Sequence, residues 1–440
     1  MKPIQVGLLG IGTVGSGVFK VLARNQSEIK RRAGRGIEIA EVAARQIDKV
    51  RAVVGSEMKI VANPMDVVNN PNIDIVVEVI GGTTLAKDLV LQAISNGKHV
   101  VTANKALLAE FGNEIFAAAH AKGVMVAFEG AVAVSIPIIK ALREGLSGNR
   151  IEWVAGIING TTNFILTEMR DKGLSFDAAL KDAQRLGYAE ADPTFDIEGM
   201  DAAHKATILS SIAFGIPVQF GKAYVEGITK LDAIDIAYAF QLGYRIKLLG
   251  ITKRTAKGIE LRIHPTLIPV KRLLASVEGS MNGIMVKSDA AGITMYYGAG
   301  AGSEQTASAV IADLVDVTRL HTADPAHRVP HLAFQPNAMS DLQVLPMSDI
   351  VTSYYLRLRV ADEAGVLAKV TGILAGAGIS IDAVLQREAD EVGGEGSTQT
   401  DVIILTHDCV ESKMNSAMAQ MQALSSVLAP ITRIRKEELA

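Results

Sequence analysis

The 440-residue sequence contains a single cysteine, Cys409, which excludes an intrachain disulfide and any zinc site built on cysteines. The sequence also lacks a large excess of positive or negative charge. The formal net charge is only −3, so we expect no nucleic-acid partner and no attraction to an acidic membrane. No run of about 18 uncharged apolar residues occurs, which argues against a membrane span. The amino-terminal residues favour a strand over a signal peptide. Together these absences predict a cytoplasmic protein.

A chain of this length is too long for one core and predicts about two to four domains. Residues 4–130 alternate short β-branched runs with helical patterns. Strands are predicted at Ile4–Leu9, Ile37–Ala43, Ile75–Val79, His99–Thr102 and Val124–Phe128, and helices at Val14–Arg24, Thr84–Ser95 and Glu110–Ala121. This alternation is typical of a parallel, doubly wound sheet. Residues 1–135 are therefore predicted to form a Rossmann-type, dinucleotide-binding α/β domain.

The pattern changes in the rest of the chain. Residues 136–320 favour an α+β domain with a mixed sheet. Its predicted elements are a strand at Arg150–Ile158, helices at Phe164–Asp171, Phe176–Leu186 and Asp201–Phe214, strands at Tyr244–Thr252, Glu260–Leu267, Gly283–Ser288 and Ile293–Tyr297, and a helix at Glu304–Leu320. Residues 321–349 contain four prolines and predict a linker. Residues 350–440 follow the βαββαβ order of a small ferredoxin-like domain, with a solvated loop at 388–397.

A glycine-rich turn follows the first predicted strand. Its sequence, Gly10-Ile11-Gly12-Thr13-Val14-Gly15, has the GxGxxG spacing and opens a predicted helix. Gly10 permits the tight turn, Gly12 lets the backbone approach a pyrophosphate, and Gly15 lets the helix pack closely on the sheet. The helix amino terminus, with Thr13 and Val14, supplies donors to the phosphates. The motif predicts a dinucleotide cofactor.

The residue after the second strand bears on which dinucleotide binds. Arg45 lies where an NAD enzyme usually carries an acid, and a guanidinium suits a 2′-phosphate. We therefore expect NADP(H). The alternative is a solvated basic turn, with Asp48 binding the ribose of NAD(H). Thr83 follows two glycines at the end of another strand and is expected to face the cofactor, or else to lie in an ordinary turn.

Three further segments carry chemistry. Lys105 ends a strand and would point toward the nicotinamide, unless it is a surface lysine. Asn159, Gly160 and Thr161 lie between a strand and a helix, where backbone donors can bind a carboxylate; the alternative is a helix cap by Thr161 or Thr162. The segment Gly187–Lys205 carries five acidic residues, which are Glu190, Asp192, Asp196, Glu198 and Asp201. Asp201 and Lys205, four apart, share one helical face. Such a corner can hold a charged amino acid and deliver a proton, or it is a solvated acidic loop.

The chain resembles homoserine dehydrogenase of the monofunctional form that carries a carboxyl-terminal ACT domain. The motifs that carry the resemblance are Gly10–Gly15, Thr102–Lys105, Gly156–Asn163, Gly187–Lys205, Gly298–Gly302 and Thr306–Val310. The resemblance implies NAD(P)H-dependent interconversion of L-aspartate 4-semialdehyde and L-homoserine, a step toward threonine and methionine. It also implies a homo-oligomer, either a homodimer or a homotetramer.

The resemblance also implies residue roles. Lys205 would be the proton donor, or the base in the reverse direction, and Lys105 would share this work beside cofactor and substrate. Glu190 would bind the substrate amino group, while Asp196 and Asp201 would position substrate and Lys205. Among the cofactor contacts are Thr83 and Gly302. One tension concerns acidity, because Asp201 raises the pKa of a neighbouring lysine and Lys105 opposes that effect.

Two ligand sites are further implied by the resemblance. A sodium ion would be held by backbone carbonyls of Glu129, Val132, Val134 and Ile136, although relatives usually carry glycine near Val134. Threonine would bind the tail domain, where Gly365 lets the loop backbone meet the ligand; the alternative is a structural or dimerising module.

Individual residues argue against three alternative functions. An acylating aldehyde dehydrogenase needs a cysteine nucleophile, and Cys409 lies in the tail. A hydroxy-acid dehydrogenase usually needs a histidine, and His204 would face away from Lys205. A non-catalytic sensor would not need Lys105 and Lys205.

Overall fold

The computed structural model describes residues 2–388, 392 and 398–440, so the loop predicted at 388–397 lies outside the described residues except at its first residue and at Val392. The first sheet is built from six parallel strands. They are β1 (Ile4–Leu9), β2 (Ile37–Ala43), β3 (Lys59–Val61), β4 (Ile75–Glu78), β5 (His99–Thr102) and β6 (Val126–Ala127). Their order is β3-β2-β1-β4-β5-β6, which confirms the doubly wound prediction. The order reverses between β1 and β4, and cofactors bind in the crevice at such a point.

Six helices cover this sheet: α1 (Thr13–Arg24), α2 (Gln26–Ala33), α3 (Ile47–Val54), α4 (Pro64–Asn69), α5 (Thr84–Ser95) and α6 (Lys105–Lys122). The sequence prediction started α6 at Glu110, which was wrong. The helix begins at Lys105 because the side chain of Asn104 accepts a hydrogen bond from the Leu107 N–H and caps it. Lys105 is therefore held at a rigid helix start.

The second domain has a mixed sheet, as predicted. Its strands are β7 (Ile151–Ile157), β8 (Tyr224–Val225), β9 (Tyr244–Arg254), β10 (Ile259–Pro269), β11 (Met281–Ser288) and β12 (Gly292–Ala299). The order is β12-β11-β7-β9-β10. Helices α7 (Ile138–Lys140), α8 (Gly160–Lys172), α9 (Phe176–Arg185), α10 (Thr194–Ile197), α11 (Met200–Phe214) and α12 (Ala233–Gln241) accompany it. Every residue of α11 after Met200 is buried, and α11 packs on β9 and on α6 of the first domain.

Helix α13 (Ser303–Leu320) returns from the second sheet to the first domain. It packs along α1, and a side chain at Gly17 would overlap the Ser303 carbonyl. Its apolar residues, including Val310 and Leu314, share one core with β1. Helix α13 follows residue 135 in the sequence but packs in the core of the first domain, so a single boundary at residue 135 does not separate the two domains. The four domain ranges stay a prediction.

The tail forms a βαββαβ unit from β13 (Val351–Ala361), α14 (Val366–Gly376), β14 (Ile381–Gln386), β15 (Gln399–Thr406), α15 (Glu411–Gln422) and β17 (Thr432–Lys436). A short additional strand, β16 (Cys409–Val410), pairs with the start of β13. Strand β17 also pairs in parallel with β10, through Thr266–Arg435 and Leu267–Lys436. The tail sheet and the second-domain sheet are therefore one eleven-stranded sheet. Arg435 anchors this junction, because it donates to Glu411 Oε2 (3.0 Å) and to Glu226 Oε2 (2.8 Å).

The segment predicted as a linker packs against the body of the protein. It contains three short 3₁₀ turns, and Leu332 is buried in the main core. His331 Nε2 accepts a hydrogen bond from the Val126 N–H at 3.1 Å. Among the described residues, no helix combines the length and apolar character that crossing a bilayer requires.

Candidate active site

The carboxylate of Asp201 binds two lysines that come from different domains. Asp201 Oδ2 lies 2.7 Å from Lys205 Nζ, and Oδ1 lies 3.0 Å from Lys105 Nζ. Lys205 Nζ also donates to the Ile158 carbonyl at 2.8 Å. An ammonium group has three donors, so two are used and one remains for a ligand.

This arrangement follows from helix α11. Gly199 takes a left-handed conformation (φ 84°) just before it, and Asp201 and Lys205 then lie one turn apart on one face. The helix is buried, so both charges must be paired to be tolerated there. The Lys205 side chain is 9% exposed, which rules out an orientation into bulk water.

Asn159 connects the acidic segment to the start of α8. Its amide nitrogen donates to Asp196 Oδ1 (2.7 Å) and Asp201 Oδ2 (2.8 Å). Its amide oxygen accepts the Thr162 N–H at 2.8 Å, so Asn159 is the helix cap. The expectation of a cap by Thr161 or Thr162 was wrong, since Thr161 Oγ1 donates instead to the Tyr188 carbonyl. One amide thus caps the helix and fixes two carboxylates.

Gly160 and Glu190 take different positions at the edge of this cluster. Gly160 opens α8 tightly against the second sheet, where a Cβ would lie 2.6 Å from the Ser280 carbonyl oxygen. Glu190 is exposed, and its charge lies close enough to raise the pKa of Lys105. The structure therefore brings together Lys105, Asn159, Glu190, Asp196, Asp201 and Lys205.

The environment separates the pKa values of the two lysines. Burial lowers the pKa of Lys205; Asp201 attracts its proton, the charge of Lys105 repels it, and the net direction is downward. Burial also acts to lower the pKa of Lys105, but Asp201, Asp196 and Glu190 together leave it raised. Two groups with pKa values pushed apart are typical of acid–base pairs, and here the pKa of Lys205 is lowered while that of Lys105 is raised.

The two acids nearest the lysines also differ. Burial alone would raise the pKa of Asp201, but Lys205 and Lys105 hold it well below its ordinary value. Burial and the charge of Asp201 raise the pKa of Asp196. Asp201 is therefore the fixed anion of the site.

Two aromatic rings enclose His204, which the sequence analysis set aside. The imidazole lies 5.3 Å from the Phe195 ring and 4.5 Å from the Phe220 ring, measured between centroids. Burial lowers its pKa to about 4. Lys105 Nζ lies 5.8 Å from the centroid of the same Phe195 ring. His204 therefore packs between two aromatic rings, and Phe195 links it to the site.

The glycine-rich turn opens a cleft of about 610 Å³ at the switch point of the first sheet. Gly10 has φ 96°, which only glycine adopts readily, and a side chain at Gly15 would overlap the Gly10 carbonyl. A side chain at Gly12 would meet nothing within 4 Å, so this backbone is open to a ligand. Thr13 and Val14 form the amino terminus of α1. The geometry fits a pyrophosphate at the helix start.

The far end of the cleft is basic. Arg45 lies on it together with Lys49, and both are exposed. Among the residues that the structure describes, neither has a hydrogen-bond or ion-pair partner. Asp48 lies beside them and is also exposed. The cleft therefore offers a free guanidinium, and an exposed carboxylate lies three residues further along the chain.

Glu78, at the end of β4, escaped the sequence analysis. Its carboxylate accepts the Ile80 and Gly81 N–H groups at 3.0 and 3.3 Å, and Thr102 Oγ1 at 2.6 Å. Burial raises the pKa of Glu78. The signal was an acid inside the apolar run that precedes Gly81-Gly82-Thr83. Its bonds shape the turn that carries Thr83.

The turn before α5 is hydrogen-bonded to the start of α6, which carries Lys105. Asn104, the residue before Lys105, donates from Nδ2 to the carbonyl of Gly82 at 2.7 Å. Gly82 is the residue before Thr83. On the opposite side, Gly302 (φ 135°) precedes α13, and Ser303 Oγ donates to the Thr13 carbonyl at 2.6 Å. Thr83 and Gly302 thus lie on segments that flank the cleft.

The segment proposed to hold sodium runs between the two domains. The Glu129 side chain accepts the Ile139 and Lys140 N–H groups at 2.9 and 3.0 Å, so it caps α7. Burial and Asp313 raise the pKa of Glu129 to about 7. The Ile136 carbonyl accepts the Ile138 N–H at 2.7 Å. Val132 is buried, Val134 is half-buried, and Ala133 between them has φ 52°. Within the described part of the chain, no three His, Cys, Asp or Glu side chains form a metal-binding group.

A switch-point cleft behind a glycine-rich turn, together with a buried lysine on a second domain, defines a class of protein. The fold and site are those of an NAD(P)-dependent oxidoreductase with a separate substrate domain. A small ferredoxin-like domain is joined to it.

Comparison with known proteins narrows this class. Family models match residues 137–315 (homoserine dehydrogenase), 10–129 (homoserine dehydrogenase, NAD-binding domain) and 354–424 (ACT domain). The chain is 60% identical to a homoserine dehydrogenase of Pseudomonas aeruginosa over 439 residues, covering 100% of both chains. It therefore belongs to the homoserine dehydrogenase family.

Solved structures agree with the sequence comparison. The crystal structure of a homoserine dehydrogenase from Thiobacillus denitrificans is 64% identical with a TM-score of 0.95, covering 100% of this chain and 99% of that one. A hyperthermophilic archaeal homoserine dehydrogenase in complex with NADPH is 26% identical with a TM-score of 0.62, covering 73% of this chain and 99% of that one.

Proposed function

We propose that the enzyme interconverts L-aspartate 4-semialdehyde and L-homoserine, a step of threonine and methionine biosynthesis in the cytoplasm. The observation that carries this proposal is the buried Lys205 ammonium. Its pKa is lowered, two of its donors are committed, and Asp201 holds it beside Lys105. This is the geometry that a carbonyl reduction needs in its proton donor.

Lys205 donates a proton to the developing alkoxide of the aldehyde, and in the reverse direction it removes the proton from the homoserine hydroxyl. NADPH, when bound, supplies the hydride to the carbonyl carbon. Lys105 stays protonated beside the carbonyl and stabilises negative charge on its oxygen. Asp201 keeps both lysine side chains in place. A general acid in this role contributes about 10² to 10⁴ in rate.

The remaining site residues bind the amino-acid part of the substrate. Glu190 and Asp196 attract the α-ammonium group of the substrate. An aldehyde without an α-amino group would lack this contact. The N–H groups of Gly160 and Thr161 open α8 and favour the α-carboxylate. Asn159 orients Asp196 and Asp201 rather than contacting substrate, since both hydrogens of its amide are already donated.

The cofactor we propose is NADP(H), because Arg45 at the end of the cleft is free to pair with a 2′-phosphate. The hyperthermophilic archaeal relative in complex with NADPH supports this choice. The alternative is NAD(H), with Asp48 binding the ribose hydroxyls.

We also propose a sodium site on the carbonyls of Glu129, Val132, Val134 and Ile136. Carbonyl oxygens suit hard cations, and each has a second lone pair, so the N–H bond to Ile136 does not block it. The valine at 134 is no obstacle, because the ligand would be its backbone. The ion would rigidify the segment that joins the two domains.

The tail is proposed to bind threonine at the loop of Gly365, which has φ 90° and open space on its Cβ side. A homodimer or homotetramer is proposed as the assembly. Strand β12 ends the long sheet, and it exposes Ile293 and Tyr297 to solvent, which supports pairing with a second copy.

Turnover of aspartate semialdehyde tests the central proposal. NADPH absorbance is followed with L-aspartate 4-semialdehyde, and separately with an aldehyde that lacks the α-amino group. We expect turnover with the first and little with the second. Binding of NADPH without any turnover would favour the non-catalytic sensor.

A further inference from the structure

A cavity of about 680 Å³ lies where the tail meets the second domain. Small-molecule sites typically have volumes of roughly 300–1,000 Å³, so this cavity is large enough for a ligand. One wall is formed by Glu198 and by residues between 224 and 231 of the second domain, and the other by Met418 and residues 430–434 of the tail. Neither Lys205 nor Gly365 lines it, so the cavity is separate from the candidate active site and from the loop proposed to bind threonine.

The cavity coincides with a gap in the eleven-stranded sheet. Strand β9 occupies one edge of β10 over its full length, so β8 and β17 share the other edge. Strand β8 pairs with Arg262 and Ile263, and β17 pairs with Thr266 and Leu267, so the two residues between these pairs are paired with neither strand. One of them, Pro265, lines the cavity and has no N–H to donate. The cavity therefore separates the end of β8 from the start of β17.

Carboxylate oxygens on the second-domain wall are unused. Glu226 Oε2 accepts hydrogen bonds from the Tyr224 hydroxyl (2.7 Å) and from Arg435 (2.8 Å), whereas Oε1 has no partner among the described residues. Glu198 Oε1 accepts from Thr229 at 3.1 Å, and its Oε2 has no partner within the described chain. Two oxygens can therefore accept hydrogen bonds from an ammonium group.

Two cations balance these acids. Lys230 is exposed and has no hydrogen-bond or ion-pair partner in the part of the chain that the structure describes. Arg433 Nη1 lies 3.1 Å from Glu411 Oε1, while its Nε and Nη2 form no hydrogen bond with the described residues. Both side chains can therefore bind a carboxylate. Much of the remaining lining is apolar and includes Val225, Leu231, Met418, Ile431 and Ile434.

We propose that this cavity binds the zwitterion of an α-amino acid with an apolar side chain. The ammonium group of the ligand bonds to the free oxygens of the two acids, its carboxylate to the two cations, and its side chain packs on the apolar lining. An anion or a cation alone would leave two of these charges unmatched. Because Glu198 precedes Gly199, the N-cap of α11, the bound ligand contacts both the tail and the turn before the helix that carries Lys205.

Calorimetry on the full-length enzyme, without cofactor or aldehyde, tests the assignment. The probes are L-leucine, L-leucinamide, which lacks the carboxylate, and N-acetyl-L-leucine, which lacks the ammonium group. We expect the wild type to bind L-leucine saturably and each analogue about tenfold more weakly, as the loss of one charge-assisted hydrogen bond implies. Lys230→Met should bind L-leucine about tenfold more weakly than the wild type does, and L-leucinamide with unchanged affinity. Glu198→Gln should show the same pattern with N-acetyl-L-leucine as the unaffected probe, since glutamine still accepts from Thr229.

Lys257→Met is the matched control, because Lys257 is an exposed lysine of the same domain that does not line the cavity. It should bind all three probes as the wild type does, and so should Gly365→Ala. The assignment is overturned if the wild type does not bind L-leucine, or if Lys230→Met binds it with wild-type affinity. It is also overturned if Gly365→Ala alone loses binding, because the ligand would then occupy that loop. Turnover of aspartate semialdehyde is measured separately, so failure of this site and failure of the proposed function are distinguishable.

Discussion

Lys105 and Asp201 form an ion pair of 3.0 Å between the start of α6 in the first domain and the start of α11 in the second. Asp201 is 5% exposed and Lys105 33%, so the pair is largely shielded from solvent. It joins the two domains at the candidate site. Changes at either residue are therefore expected to affect the chemical step more than the binding of NADPH.

Lys205→Met tests the proton donor. The variant keeps the length and apolar stem of the side chain but cannot transfer a proton. We expect the turnover number to fall about 10² to 10⁴-fold, with the dissociation constant for NADPH unchanged. Lys181→Met, at an exposed position on α9, is the control. Turnover at the wild-type rate would remove the role assigned to Lys205.

Asp201→Asn tests the electrostatic balance through pH. The charge of Asp201 raises the pKa of Lys205, so its removal lowers that pKa further. Homoserine oxidation requires neutral Lys205, and its rate rises with pH through this pKa. The rise should therefore move to lower pH in the variant, although the plateau falls.

The pH profile of Asp192→Asn serves as the comparison, since Asp192 is an exposed acid of the same segment and its side chain only caps the Thr194 N–H. A profile for Asp201→Asn that stays in place, or moves to higher pH, contradicts the assignment.

Arg45→Ala tests the cofactor preference. Loss of one charge-assisted contact to a 2′-phosphate should raise the dissociation constant for NADPH about 10- to 100-fold and leave that for NADH unchanged. Asp48→Ala provides the opposite arm. If Asp48 is the ribose ligand, NADH binding weakens in that variant and Arg45→Ala has no selective effect.

Gly365→Ala tests threonine control through the tail. A left-handed backbone at φ 90° disfavours any side chain, although space is open there. We expect the variant to need more threonine for half inhibition and to keep its uninhibited rate. Gly372→Ala, on α14, also adds a methyl group into open space but at an ordinary helical φ. Equal threonine responses in both variants would locate the effector elsewhere.

His331→Gln tests a pH-dependent contribution to stability. Burial, Arg143 and His120 lower the pKa of His331 to about 4, from about 6.5 in an unfolded chain. Its folded pKa is depressed, so the stability it contributes is complete above pH 6.5 and is lost as the pH falls toward 4. Across that window the wild type should lose up to about 1.4 kcal/mol per pH unit more than the variant.

Urea titrations at several pH values measure this difference. His407→Gln, at an exposed position in the tail and not among the groups that act on His331, should follow the wild type. Parallel slopes for wild type and His331→Gln would show that the imidazole does not titrate on unfolding as described.

The sequence was sufficient for the two sheets and for the two lysines that the structure brings together at Asp201. Lys105 was found because a strand end in a doubly wound sheet faces the crevice, and Lys205 because it is one helical turn from Asp201. The bond between Asp201 and Lys105 was beyond reach, since the two residues are distant in sequence and no local pattern links them. The same holds for Asn159, where several neighbouring side chains can each act as the helix cap.

Other features left too weak a trace in the sequence. Helix α2 is not among the predicted elements, because it buries only Ile29 and Ala33, too few to show a helical period. The junction of β17 with β10 involves two residue pairs. Edge pairing of this kind depends on which backbone groups remain free after each domain folds, and side-chain patterns do not report it.

That junction has a consequence for how the tail can influence catalysis. Because β17 is hydrogen-bonded directly to β10, a displacement of the tail would be transmitted to the second-domain sheet through these two strands. The connecting segment, residues 321–349, would not be the only route. Lengthening the proline-rich connector should then leave regulation intact. Grafting a foreign regulatory module would require it to present a compatible parallel strand with an arginine able to reach Glu226.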